Sequence, residues 1–456
     1  VPLPQRPPAT GSLEALRRAH RGAIALPEDD GYDEQRAPWN LAVEQRPAAV
    51  AHPRDVDDLR ALLVAARDTG ATVAVQPCGH GATAALDGAI LTRMAAFDRL
   101  EVDARARTAT IGAGVPWARV IEALDGTGLV VPSGSSRVVT AAGYLLGGGH
   151  SLLSRSTGLG AQSLRAAWIL RPDGTHERVD DASDPDTMWA MRGAGGVVGI
   201  VTALELDLRP APGLVGGSMV FAEADGPAVL RAVRDEAVDA PRGLNVAVSS
   251  MRVPDAPMVP EAVRGKRFMS VDVIAMDASD LGALDALRAA ATPVQERVGP
   301  TSQVVLAAAS MEPEEPSPSR GTATALDGLD DATIDALLTW RALPEQAPLL
   351  GIAIRMLGGA LDAPSRPAFA SLEGAAWLTM GLAPLLPGVP AEPGDASLAG
   401  LDALLRPAAS TRLVPTFLSP GATLDACASP ADLARLRAIR DAADPHGVLH
   451  EWRLPR

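Results

Sequence analysis

The sequence predicts an α+β protein with more than one packed core. Short runs rich in β-branched residues alternate with amphipathic helix patterns up to Pro210, and glycine-rich loops sit at the ends of those runs. At 456 residues, with 47% hydrophobic and 21% charged residues, the chain has the length and composition of a folded protein with more than one core.

Taken in order, the segment DVDDLRALLVAARDTG reads as a helix and TVAVQP as a strand, followed by the turn CGHG. A strand near ALDGAILT and another at TATIGAG come next, then a helix from Trp117 to Leu124. Pro132 to His150 is rich in glycine and serine. Strands follow at SLRAAWILRPDGTHERV, with a hairpin turn at Asp173-Gly174, and at GIVTALELDLRP. Beyond Pro210 the texture changes. GSMVFAEA, LNVAVSSMRV, RFMSVDVIAM and APLLGIAIRML read as strands, and DLGALDALRAAA and DATIDALLTW as helices. The proline- and acid-rich MEPEEPSPSRGTATALDG reads as a surface loop. The tail ending PADLARLRAIRDAADPHGVLH reads as one amphipathic helix stopped by Pro445-His446-Gly447. These changes divide the chain into residues 1–212, 213–408 and a closing segment 409–456.

A net charge of −14 argues against nucleic acid as a partner. Lys266 is the single lysine, a compositional bias of the GC-rich kind. Cys78 and Cys427 are too few for a disulfide framework. No apolar run is long enough to span a bilayer. The proline-rich start lacks the apolar core of a signal peptide, so a cytoplasmic protein is expected, with a trimmed leader as the alternative.

Two glycine loops are candidates for chemistry. Gln76-Pro77-Cys78-Gly79-His80-Gly81 follows a strand directly. Small residues bring backbone N–H groups close to an anion, so this turn suits a diphosphate, with His80 offering a ring nitrogen. Read alone, it equally fits a tight turn with a solvated histidine. The second is Pro132-Ser133-Gly134-Ser135-Ser136 and then Gly143-Tyr144-Leu145-Leu146-Gly147-Gly148-Gly149-His150. Three consecutive glycines strip the side chains from a stretch of backbone, which suggests a flat ligand lying against it. The run Gly193-Ala194-Gly195-Gly196-Val197-Val198-Gly199 is no dinucleotide fingerprint, because a helix precedes it and a strand follows, the reverse of what that fingerprint needs. His446 and His450 flank a helix stop and are read as a capping and a surface histidine, so no metal is expected. No GxSxG elbow occurs.

Together these segments resemble the berberine-bridge-enzyme-like branch of the vanillyl-alcohol-oxidase flavoproteins, particularly its actinobacterial members. The likeness runs from GYDEQRAPWN through VAVQPCGHG, VPSGSSRVVTAAGYLLGGGHSLLSRSTGLGAQSL and DTMWAMRGAGGVVGIVTALELDL to RMLGGAL and VPTFLSPGATLD. It implies a two-part PCMH-type FAD-binding domain (1–212 with 409–456) around a substrate domain (213–408) whose antiparallel sheet is covered by helices. It implies FAD attached covalently through His80. It also places Gln76, Pro77, Cys78, Gly79, Gly81, Gly134, Ser135, Ser136, Val139, Gly143, Tyr144, Gly147, Gly148, Gly199, Val201 and Phe417 at the cofactor.

Four departures from the family pattern matter. Ser136 stands where many members carry a second attaching cysteine, so a single bond is expected. Cys78 replaces a glycine. Val197-Val198 replaces Asn-Phe. Thr416-Phe417 replaces an Asn-Tyr pair whose tyrosine serves as a base or its partner. With Phe417 unable to take a proton, Tyr144 and His150 become the candidate catalytic side chains, each also readable as packing. Val139 occupies the position where valine accompanies oxidase behaviour, so O2 is the expected electron acceptor and H2O2 the product. The part from 213 to 408 holds Phe221, Phe268, Phe369, Trp340 and Trp377 as its aromatics, and a pocket lined by Leu, Met and Ala suits an apolar small molecule, such as a secondary metabolite, better than a sugar. A cyclase, isomerase or dehydrogenase on the same fold, with little use of O2, remains the alternative.

Overall fold

The computed structural model describes residues 10–253, 255, 261, 264–451 and 453–454. The proline-rich start, residues 1–9, lies outside the described residues. Among the described residues no helix is long and apolar enough to cross a membrane.

The chain opens with a four-stranded sheet in the order Ala23–Ala25, Ala49–His52, Ile90–Thr92, Val73–Val75, in which Ile90–Thr92 runs parallel to both its neighbours. The helix Val56–Thr69 links two of these strands. Asp55 starts it by accepting from the N–H groups of Asp57 and Asp58, and Gly70 ends it in the left-handed region at φ 72°. Leu59, Leu62, Leu63 and Ala66, at helical spacing, are its buried face. A five-stranded antiparallel sheet follows in the order Leu100–Asp103, Thr108–Gly112, Ile200–Asp207, Leu164–Leu170, His176–Asp180. One buried core joins side chains of both sheets with Leu433 and Leu436 of the closing helix Pro430–Ala443 and with Val448 and Leu449 after it. The tail fastens to the first sheet through Val73 N–H to the Val448 carbonyl, 2.8 Å, and His450 N–H to the Val73 carbonyl, 2.9 Å. The C-terminal segment thus returns to the strand that leads into the first glycine loop.

The remaining sheet is antiparallel and seven-stranded: Gln295–Pro300, Val215–Ala222, Arg267–Ala275, Leu244–Arg252, Gly351–Met356, Trp377–Pro384, Ser319–Leu326. Its period of two splits the faces. Val246, Val248, Val271, Val273, Ile352 and Ile354 are buried in a core shared with the helices Gly226–Ala237, Leu284–Ala290, Asp331–Ala342 and Glu392–Leu405. Each such Val, Leu or Ile contributes roughly 1.5–3 kcal/mol of burial. The opposite face carries Ser249, Met251, Gly351, Ala353, Met380, Leu382, Gly321 and Ala323, which register places in adjacent rows. The α+β class, with an antiparallel sheet covered by helices, is therefore as the sequence indicates.

Several elements differ from the expectation. The segment taken as a surface loop becomes a strand at Ser319. Ser319–Leu326 is an edge strand with one partner, so Pro316 and Pro318 need only end before pairing begins. The strands Trp377–Pro384 and Gln295–Pro300 and the helices Gly226–Ala237 and Glu392–Leu405 were not read from the sequence. Glycine and proline within or beside each of them blur the hydrophobic period. The second glycine loop is not all loop: Ala141–Leu146 is helical and ends on the glycine run.

Candidate active site

The strand Val73–Val75 delivers Gln76 to Gly81. Arg93, buried behind this turn, donates to the Gln76 carbonyl at 2.9 Å and to Gln76 Oε1 at 3.2 Å, and also to the carbonyls of Gln35 and Ala37. Gly79 sits at φ 91°, and a Cβ there would lie 2.8 Å from both Pro38 Cβ and Gln76 Oε1. Only glycine allows the lead-in segment to press so closely on the turn. The indole of Trp39, the next residue, stacks on the His80 ring with centroids 4.0 Å apart and planes 14° apart. His80 Nε2 is 3.4 Å from Ser136 Oγ, and Nδ1 is 3.5 Å from Cys78 Sγ. Burial pushes the imidazole pKa down to about 4, so the ring is neutral and keeps one nitrogen lone pair.

Two cavities meet at this histidine. The first, about 310 Å³, is lined by Val73 to Gly81, Val139, Gly143, Tyr144, Gly147, Gly195, Gly196, Gly199, Val201, Leu449 and His450. The second, about 750 Å³, lies against the open face of the seven-stranded sheet, where Met251, Gly351, Ala353, Met380, Leu382 and Phe417 line it. His80, Gly81, Thr416 and Arg453 line both. Gly134, Ser135, Ser136, Gly148 and His150 line neither.

The reason lies in how the second loop packs. A Cβ at Gly149 would come within 2.4 Å of the Tyr144 ring, one at Gly160 within 2.8 Å and one at Gly134 within 3.0 Å. A Cβ at Gly148 would meet Val414 at 2.4 Å and Ala370 at 2.9 Å. Of the three consecutive glycines, two are therefore filled by protein side chains, and Gly147 alone borders a cavity. The slot they form holds Tyr144 edge-on to Trp117, centroids 5.4 Å apart. Tyr144 Oη is buried without a hydrogen-bond partner, and burial raises its pKa far above the ordinary phenol value. His150 is buried beside Phe417, ring centroids 5.9 Å apart, and its Nδ1 accepts from Arg355 at 3.2 Å. Burial, and then the Arg355 charge, hold its pKa well below the ordinary value. Arg355 is half-buried, with its Nε buried and unpartnered, and no ion pair within 4 Å is made to it among the described residues.

Trp39, Arg93 and Arg355 escaped the sequence reading, since a lone indole in a lead-in and arginines within strands or just beyond them carry no local signal. His450, taken as a surface histidine, instead lines the smaller cavity with Nδ1 3.5 Å from Thr72 Oγ1. Pairing of the tail with Val73 turns it inward. Among the described residues no cluster of His, Cys, Asp and Glu could hold a metal ion.

The smaller cavity fits an FAD. Gly79, Gly81, Gly143, Gly147, Gly195, Gly196 and Gly199 border it, and a Cβ at Gly81 or Gly196 would meet nothing within 4 Å. Residues 47–180 match the family model described as an FAD binding domain. Among curated relatives, the FAD-dependent monooxygenase FUP4 of Fusarium proliferatum is 36% identical over 179 residues, 39% of this chain and 35% of that protein. The (R)-6-hydroxynicotine oxidase of Paenarthrobacter nicotinovorans is 28% identical over 194 residues, 42% of each. The chain spans 35% to 47% of the length of the first curated relatives it matches. Among solved structures, BBE-like 1 of Physcomitrella patens superposes with a TM-score of 0.84 at 17% identity, covering 97% of this chain and 99% of that one. A chitooligosaccharide oxidase superposes with a TM-score of 0.84 at 16% identity, covering 98% and 100%. The likeness first seen in the sequence thus holds for the FAD binding domain and for the fold of the whole chain.

Proposed function

We propose that this protein, which carries an FAD binding domain within the fold of the berberine-bridge-enzyme-like flavoproteins, is an FAD-linked oxidase of a small, mostly apolar organic molecule. The observation that carries the reading is His80, a neutral imidazole that lines both the smaller, glycine-bordered cavity and the larger one. In it, FAD is held through one covalent bond from His80 and none from Ser136, between residues 1–212 and 409–456, while 213–408 supplies the substrate surface. The cofactor when bound supplies the two-electron acceptor, with O2 taking the electrons onward as H2O2.

The chain's own part is to bind, orient and exclude water. Gln76 to Gly81, with Gly143, Gly147, Gly196 and Gly199, present main chain to the cofactor, and Val139 and Val201 close the apolar wall. Tyr144 keeps its proton at Oη and serves as a donor. The neutral His150 accepts from Arg355 at Nδ1 and so carries its own proton at Nε2. Both are donors in this arrangement and neither is a free base, and Phe417 offers no acceptor. The small side chains of Gly351, Ala353, Gly321 and Ala323, edged by Met251, Met380 and Leu382, give the substrate a flat apolar floor. Such a floor suits a ring system better than a hydroxyl-rich sugar. In the test, protein precipitated with acid keeps its flavin, His80→Ala loses it and Ser136→Ala does not. Turnover releases peroxide. Flavin found wholly in the supernatant of the unaltered protein overturns the covalent reading, and product formed without oxygen uptake overturns the oxidase reading.

A further inference from the structure

We infer that Trp39 is the positioning residue for covalent attachment of the flavin at His80. The inference rests on His80 being the tether. The His80 imidazole is confined on three sides: the indole lies flat against one face at 4.0 Å and 14°, Ser136 Oγ faces Nε2 at 3.4 Å, and Cys78 Sγ faces Nδ1 at 3.5 Å. Contacts with a thiol and a hydroxyl at these distances are weak hydrogen bonds that leave the ring free to turn about its χ2 torsion. The stacked indole is the contact that fixes the plane.

The Trp39 main chain is pinned on both sides. Its backbone N–H donates to the Cys78 carbonyl at 2.8 Å, the Asn40 backbone N–H donates to the Gly79 carbonyl at 3.4 Å, and the Trp39 carbonyl accepts from Ser317 N–H at 3.1 Å. Asn40 continues the zip on the far side, donating from Nδ2 to the Ser319 carbonyl at 3.1 Å. The lead-in strip is thus pinned between the tether turn and the start of an edge strand. Gly79 is what lets it approach, since any side chain there would strike Pro38.

Attachment forms a bond from an imidazole nitrogen to the carbon of the flavin's 8α-methyl group. One methyl C–H and the imidazole N–H break, the two hydrogens and two electrons reduce the flavin, and O2 then takes them up as H2O2. A ring that turns freely presents its lone pair to the methyl carbon for a small part of the time, whereas a ring held in one plane presents it continuously.

The experiment uses full-length flavin-free protein mixed with FAD in air. Two quantities are followed: total bound FAD, by quenching of flavin fluorescence, and covalent FAD, by acid precipitation against time. Trp39→Ala is expected to bind FAD within about threefold of the unaltered protein but attach it at least about tenfold more slowly. Trp39→Phe, which keeps a flat ring, restores the rate to within about threefold. His80→Ala separates the two ideas: if it still gains acid-stable flavin, the tether reading itself is wrong. Equal attachment rates in Trp39→Ala and the unaltered protein overturn the inference, as does a Trp39→Ala protein that loses FAD binding and attachment in equal measure, because that is a merely structural role. Should Trp39→Ala fail to fold, Trp39→Leu against Trp39→Phe makes the same comparison.

Discussion

Covalent attachment should proceed almost unchanged in mild acid. The perturbation is pH, and the group is His80, whose pKa burial depresses from 6.5 to about 4. The atoms that approach it are Cys78 Sγ and Ser136 Oγ, and one face is covered by Trp39, so among the described residues no carboxylate contacts the ring to stabilise the imidazolium. The nucleophile is the neutral ring. For a histidine titrating at its ordinary value, the neutral fraction falls about 25-fold between about pH 7 and about pH 5; for one titrating at about 4 it falls only about 1.1-fold. The assay mixes flavin-free protein with FAD across this range, stops the reaction in acid and measures flavin in the precipitate, with circular dichroism confirming the fold at each pH. A rate that collapses by an order of magnitude over this range would refute the argument that burial keeps His80 neutral. The same shift affects stability. Between pH 4 and 6.5 the unfolded chain binds more protons at this site than the folded one, so stability rises with pH there. The contribution is complete above 6.5 and is lost as pH falls through about 4.

Two further expectations concern the second glycine loop and the half-buried arginine beside it. Gly149→Ala puts a Cβ 2.4 Å from the Tyr144 ring at φ 63° and should cost about 2–5 kcal/mol of stability, measured by denaturant unfolding. Gly196→Ala, at φ 95° with open space around it, should cost only about 1–2 kcal/mol but weaken FAD binding in a titration, since its Cβ enters the cofactor cavity. Equal stability losses in the two would contradict the packing described. Arg355→Met leaves the buried His150 Nδ1 without its donor, so thermal unfolding should show a loss of about 1–3 kcal/mol. Peroxide production should fall by about tenfold, because His150, which packs on the Phe417 of the larger cavity, loses the donor that fixes its tautomer. A strongly destabilised Arg355→Met protein would show that the guanidinium has a partner essential to the fold.

Local pattern made much of this chain readable. The strand before Gln76, the helix Trp117–Leu124, the hairpin at Asp173-Gly174 and the stopped helix at Pro445 depend on periodicity and on turn residues adjacent in sequence. They stand where the sequence puts them. Where glycine and proline interrupt the period, as in Glu392–Leu405, or where an edge strand follows a proline-rich stretch, as at Ser319, tertiary pairing decided the element. The open face of the seven-stranded sheet is likewise beyond local reading, since Gly321, Gly351 and Leu382 share a row only through register.

The two glycine loops show the same division. The sequence by itself determined that His80 follows a strand on a turn of small residues and that glycines cluster again after Tyr144. It left open whether those glycines face a ligand or the protein. Packing answered that, because an absent Cβ leaves space without saying what fills it: Gly79 receives Pro38, Gly148 receives Val414, Gly149 receives Tyr144, and Gly196 opens into the cavity. The neutrality of His80 was also a tertiary outcome, since it follows from burial under Trp39, a residue 41 positions away.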